Sequence, residues 1–164
     1  MKAPVSAPIS AAEKTEFVAA IMGDAEVTYM GRAQFDGLKI DWAGFAAQTR
    51  KSADAELKDV TTEYVRDRNK VIVYAAVHSS HGLVASAVLS GNFLDVFKNT
   101  LGEKVLLVIP NRTTAYVFPA LAGNYQAYAP LIFSAYRATA FPVSTEAFEL
   151  SRDGMKAVGL FVEP

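Results

Sequence analysis

Apolar positions along this chain alternate with polar ones, recur every three to four residues, or run uninterrupted, and each pattern predicts a different element. Prolines and alanines in residues 1–9 break any period, so a flexible N-terminal arm is expected there, followed by one domain over residues 10–164. Ser10, Ala11, Ala12 and Glu13 match a capping box, and Phe17, Val18, Ile21 and Met22 follow at helical spacing, with Gly23 as a stop. That pattern predicts a helix. Residues 27–30 and 38–42 alternate on either side of Gly31, Asp36 and Gly37 and predict two strands. Residues 43–57 are rich in alanine and charge, and Trp42, Phe45 and Ala46 share a helical face, so a short helix with a solvated outer side is expected.

Residues 60–66 alternate, residues 67–70 are polar, and residues 71–77 are nearly all apolar. This predicts a hairpin whose second strand is buried on both faces. Residues 83–89 suit a strand or a helix, and strand is the preferred reading. Asn92 suits the cap of a helix that points Phe93, Leu94, Phe97 and Leu101 inward and ends at Gly102. Residues 105–109 read as a central strand, with residues 114–118 as its hairpin partner across Pro110, Asn111, Arg112 and Thr113. Tyr125, Tyr128, Ala129, Ile132, Phe133 and Tyr136 form a helical stripe, and because proline breaks a helix interior the helix is expected to begin near Pro130. Residues 148–151 and 155–161 flank Asp153 and Gly154, a pair suited to a tight closing turn. The sum is an α+β fold: a mostly antiparallel or mixed sheet with helices packed on one side.

Composition narrows the classes of partner. The chain has 164 residues, 51% of them apolar, enough for a core without disulfides or a structural metal. Its 16 basic and 17 acidic residues leave a formal charge of −1, so no broad basic field exists to attract nucleic acid. Cysteine is absent, which removes thiolate zinc sites and cysteine nucleophiles. The first residues lack the apolar run of a secretory signal, although removal of a leader would leave the same N-terminus. The apolar runs are far shorter than the ~20 residues of a membrane-spanning helix. A cytoplasmic protein with no membrane partner is the default expectation.

The candidate chemistry is sparse. His78, Ser79, Ser80, His81 and Gly82 hold the only histidines, but a catalytic zinc takes about three protein ligands and no acidic residue adjoins them, so no metal is expected. Ser79 or Ser90 with a histidine and an aspartate makes a triad on paper, without the G-x-S-x-G pattern. No glycine-rich phosphate loop occurs, and no cofactor is implied. Asp24 with Glu26, and Asp36 with Asp41, are paired carboxylates that read more simply as solvated strand ends. Tyrosines and phenylalanines gather in the second half as core; any that stay exposed together would mark an interface, for which a homodimer is the simplest partner. Asn111, Arg112 and Thr113 are the candidate ligand-binding residues. They occupy a turn between two strands, where the guanidinium fork suits a small anionic ligand.

The stretch from Lys104 to Arg112, with Pro110, running into Tyr116, Val117, Phe118 and Pro119, resembles the strand-Pro-x-Arg-strand segment of the uncharacterised bacterial YtpQ-like family. Phe141, Pro142, Val143 and Ser144, with Phe148 and the Asp153-Gly154 pair, resemble that family's closing segment. The similarity covers the C-terminal half. It implies an α+β fold and an intracellular bacterial setting but lends no activity, and Thr113 stands where the family pattern has an aspartate. A non-catalytic binding or assembly domain is thus the leading expectation. The alternative is a small hydrolytic or transfer enzyme with a polar site near the Asn111-Arg112-Thr113 turn.

Overall fold

The structure is a computed structural model that describes residues 3–23, 26–80 and 82–164. Four short strands open the chain: β1 (Ser6–Pro8), β2 (Glu16–Val18), β3 (Ala20–Met22) and β4 (Val27–Tyr29). β1 pairs with β2 and β3 with β4, and Ala19 joins the two pairs. Its N–H donates to the Val5 carbonyl at 2.8 Å, while its own carbonyl accepts from Met30 N–H at 2.8 Å. Val5, Ala19, Met30 and Phe35 bury a small core there, under Trp42 and Phe45.

Two expectations fail in this region. The arm expected over residues 1–9 joins the fold from Val5 onward, since Val5 and Ile9 are buried and Ser6–Pro8 lies in a ladder; residues 1 and 2 lie outside the described residues. The helix expected after Ser10 is a pair of strands. The capping-box residues are engaged elsewhere: the Ser10 carbonyl accepts from Ala157 N–H, and Glu13 N–H donates to the Glu146 carboxylate. Long-range pairing overrides a weak local preference, and Ile21 and Met22, the supposed buried stripe, are 41% and 39% exposed.

Helices α1 (Arg32–Asp36) and α2 (Trp42–Lys58) follow. The strand expected over residues 38–42 is instead a turn leading to the α2 cap, where Asp41 Oδ1 accepts from Gly44 N–H at 2.8 Å. Beyond α2 come β5 (Val60–Arg66), β6 (Ile72–Ser79), α3 (Val84–Val88), α4 (Phe93–Phe97), β7 (Val105–Asn111) and β8 (Thr114–Pro119). A 3-10 turn (Tyr125–Tyr128) leads into α5 (Ala129–Arg137), and β9 (Glu146–Ser151) and β10 (Gly154–Leu160) close the chain. The preferred strand over residues 83–89 is the helix α3, because Val84, Ala87 and Val88, at helical spacing, are the positions buried. The helix expected from Asn92 to Gly102 is shorter: α4 ends at its cap Lys98, turns carry the chain on to Gly102 at φ +104°, and the Asn92 side chain makes no cap hydrogen bond.

β5 to β10 form one sheet in the order β10-β9-β7-β8-β6-β5, antiparallel throughout, made of three hairpins laid side by side. The α+β class and antiparallel sheet are as expected, but helices cover both faces instead of one. Val84, Val88, Phe93, Phe97 and Leu101 pack on Ala75, Val77, Leu107, Val117 and Phe148. On the other face Ala129 and Ile132 pack on Ala76, Leu106, Val108, Tyr116 and Phe118. Topology explains this. The β6-to-β7 and β8-to-β9 connections each skip one strand in the same lateral direction, but they leave antiparallel strands. Crossovers of one hand must therefore lie on opposite faces. Among the described residues no helix is long and apolar enough to cross a membrane.

Candidate functional site

Two sequence candidates meet at one end of the sheet. Arg112 and Thr113 form the tight turn between β7 and β8, and the loop after β6 packs against it. The Thr113 carbonyl accepts from Ser79 N–H at 2.9 Å, and the Arg112 carbonyl accepts from Val84 N–H at 3.0 Å. The segment before β9 closes the third side: Arg112 N–H donates to the Phe141 carbonyl at 3.2 Å, and Val143 N–H to the Pro110 carbonyl at 2.9 Å. Three backbone segments thus hold this turn, which makes it a rigid corner.

The three proposed binding residues have different roles. Asn111 is buried, at 7% exposure; its amide nitrogen donates to the Ala135 carbonyl on α5, and its Oδ1 accepts from Thr113 N–H at 3.0 Å and Thr113 Oγ1 at 3.1 Å. Its polar atoms therefore shape the turn, as asparagine does in an Asx-turn. Thr113 is exposed. Arg112 is half-buried, with its guanidinium carbon 4.7 Å from the centre of the Phe141 ring. Among the described residues no carboxylate lies within ion-pair distance of Arg112. Phe141 itself is 57% exposed.

His78 adds a second polar group to this end. It stands between Thr61 and Thr114 across the ladder, with Nδ1 3.3 Å from Thr114 Oγ1. Among the described residues no three metal-ligating side chains come together; His81 lies outside those residues. The triad candidates have structural partners. Ser79 Oγ accepts from Gly82 N–H, while Ser90 Oγ donates to Asp54 and accepts from Asn92 N–H. The paired carboxylates separate as well: Asp36 faces Arg32 at 3.7 Å and Asp41 caps α2, while Asp24 lies outside the described residues. On the α5 face, burial pushes the hydroxyls of Tyr74 and Tyr116 above the ordinary tyrosine value, helped at Tyr74 by Tyr128 and Glu63 and at Tyr116 by Tyr74.

One buried ionisable group stands outside the sequence candidates. Glu146 is 2% exposed and accepts from Glu13 N–H at 2.8 Å, Lys14 N–H at 3.3 Å and the Thr15 hydroxyl. Ser144 Oγ lies 2.6 Å from Thr15 Oγ1 and accepts from Glu146 N–H. The carboxylate thereby clasps the chain between β1 and β2 to the start of β9, beside a cleft of about 220 Å³ that Glu13 and Gly159 also line. A signal existed: counting by two from Phe148, an obvious core residue, puts Glu146 and Ser144 on the same inward face. A second, more apolar cleft of about 480 Å³ lies at the opposite end of the sheet, between Leu101 and Leu121. Compared with models of protein families, with curated proteins and with solved structures, the chain matches none.

Proposed function

We propose that this chain is a non-catalytic binding domain that receives a small anionic group, a phosphate or carboxylate, at the Arg112–Phe141 corner. One observation carries the reading: the Arg112 guanidinium lies on an exposed aromatic ring without an acidic partner among the described residues, on a turn held by three backbone segments. A guanidinium presents a planar fork of donors to an anion while its face stays on the ring. Rigidity at the corner lowers the ordering penalty of binding. Arg112 is the direct contact, Thr113 supplies an adjacent hydroxyl, and Asn111 positions both. A cytoplasmic setting belongs to this reading as its default.

Calorimetry with inorganic phosphate, a phosphomonoester and a dicarboxylate tests it. Replacing Arg112 by alanine is expected to weaken binding by about tenfold or more, the loss of a charge-assisted hydrogen bond. Arg112→Lys is expected to recover only part of that, because lysine keeps the charge and loses the fork. If the alanine variant keeps every ligand interaction of the wild type, the assignment is wrong.

The alternative, a small hydrolytic or transfer enzyme, is favoured by the His78–Thr114 contact, which puts a base beside a hydroxyl. Turnover of activated esters or phosphates that disappears in His78→Ala would select it over the binding reading.

A further inference from the structure

The two edges of the six-stranded sheet are treated differently. At the β10 edge, Ser10 bridges Lys156, and Ala157 N–H donates to the Ser10 carbonyl at 2.8 Å, so the N-terminal segment covers part of that edge. At the other edge β5 pairs with β6 alone, and among the described residues no other strand or bridge pairs with its free side. An uncovered edge is a row of free backbone donors and acceptors, and proteins usually blunt one with lysine, proline or a bulge. Residues 60–64 of β5 contain no lysine, proline or bulge, and the exposed Glu63 is their one charge. The bulge lies only at the Val65–Arg66 end.

We infer that the β5 edge pairs antiparallel with β5 of a second copy of this chain, about a two-fold axis through Thr62. An axis perpendicular to the sheet passes through one residue position, so the choices of register are few. Centred on Glu63, two carboxylates would face one another directly. Centred on Thr61, Glu63 would face Asp59 of the other copy. Centred on Tyr64, the pairing would run into the bulge. Centred on Thr62, each Val60 faces the other copy's Tyr64, and each Thr61 faces the other copy's Glu63. That register joins a β-branched residue to an aromatic twice on one face and a hydroxyl to a carboxylate twice on the other, with no opposed like charges. The exposure pattern fits it. Thr61 and Glu63 are exposed, whereas Val60 and Tyr64 are half-buried against the core and already ordered. Five paired residues make a small interface, so the dimer is weak and concentration-dependent.

Sedimentation over a concentration series reads the mass, and substitutions at the two exposed positions read the register. Thr61→Glu sets a carboxylate against Glu63 of the other copy at two symmetric places and is expected to raise the dissociation constant about tenfold. Thr61→Lys is expected to lower it by a similar factor, an effect that salt screens. The double variant Thr61→Glu with Glu63→Lys restores the opposed charges and should return the dimer. Thermal unfolding of each variant shows that the fold is intact. A wild-type mass that stays monomeric at every concentration overturns the inference, as does a dimer indifferent to Thr61→Glu.

Discussion

Glu146 illustrates how a single residue can tie distant parts of a chain together. A carboxylate at 2% exposure loses its hydration and must find donors, and Glu146 takes them from Glu13, Lys14 and Thr15, more than 130 positions away. The clasp explains why residues 10–22 are not helical, since the N–H groups a helix start would present are already given to β9. Removing the carboxylate leaves the Glu13 and Lys14 N–H groups without partners and the Thr15 hydroxyl with Ser144 Oγ alone. Glu146→Ala is therefore expected to lower stability by about 2–3 kcal/mol, measured by urea denaturation. A loss within the surface range of ~0.5 kcal/mol would mean that water replaces the carboxylate freely. Arg112 is the opposite case, because its backbone is locked while its guanidinium lies on the Phe141 ring without an acidic partner among the described residues.

At the scale of elements, the strands around the central turn and β4 were legible, and β1 to β3 were not. Residues 105–109 and 114–118 are continuous apolar runs across a polar turn, and β7 and β8 form there with every residue from Val105 to Phe118 except the two turn residues buried. Leu107, 1% exposed in the middle of β7, packs among α3, α4 and the inner strands. Leu107→Ala is expected to cost about 2–5 kcal/mol in chemical denaturation, the range for a core leucine that leaves a cavity. A loss under ~0.5 kcal/mol would place it at the surface. The closing hairpin was placed within one residue: the turn is Arg152 and Asp153, and Gly154 takes the positive φ of 122°. Residues 17–22 misled because their three- and four-residue spacing is also compatible with two short strands that change neighbours at Ala19.

The layering of the whole molecule is expected to show in its response to pH. Tyr74 and Tyr116 lie under the α5 side of the sheet, and burial raises both hydroxyls above their ordinary 10.0. A raised value means that the folded chain holds protons that the unfolded chain has released. The contribution is complete below about pH 10 and is lost as pH rises through the folded values. Stability is thus expected to fall on the alkaline side, and Tyr74→Phe and Tyr116→Phe are each expected to flatten that limb in denaturation curves taken across pH. An unchanged limb in both variants would show that other groups control it.

The sequence by itself determined the parts that depend on neighbours in the chain: the three hairpins of the large sheet, their turns, the α2 and α5 helices, the α+β class and the place of Arg112 in a turn between two strands. These follow from local period and turn chemistry, which act over a few residues. Only the tertiary structure decided that helices cover both faces, that residues 16–18 and 20–22 are strands, that Asn111 turns its amide inward, and that Glu146 is buried. Each of those depends on a partner far along the chain, and hydrogen bonds and burial outweigh local preferences worth a fraction of a kcal/mol per residue. The two-faced layering was nonetheless implicit in strand order, because two crossovers of one hand leaving antiparallel strands cannot share a face. What was missing from the sequence was the pairing of β6 with β8, which joins residues far apart in the chain.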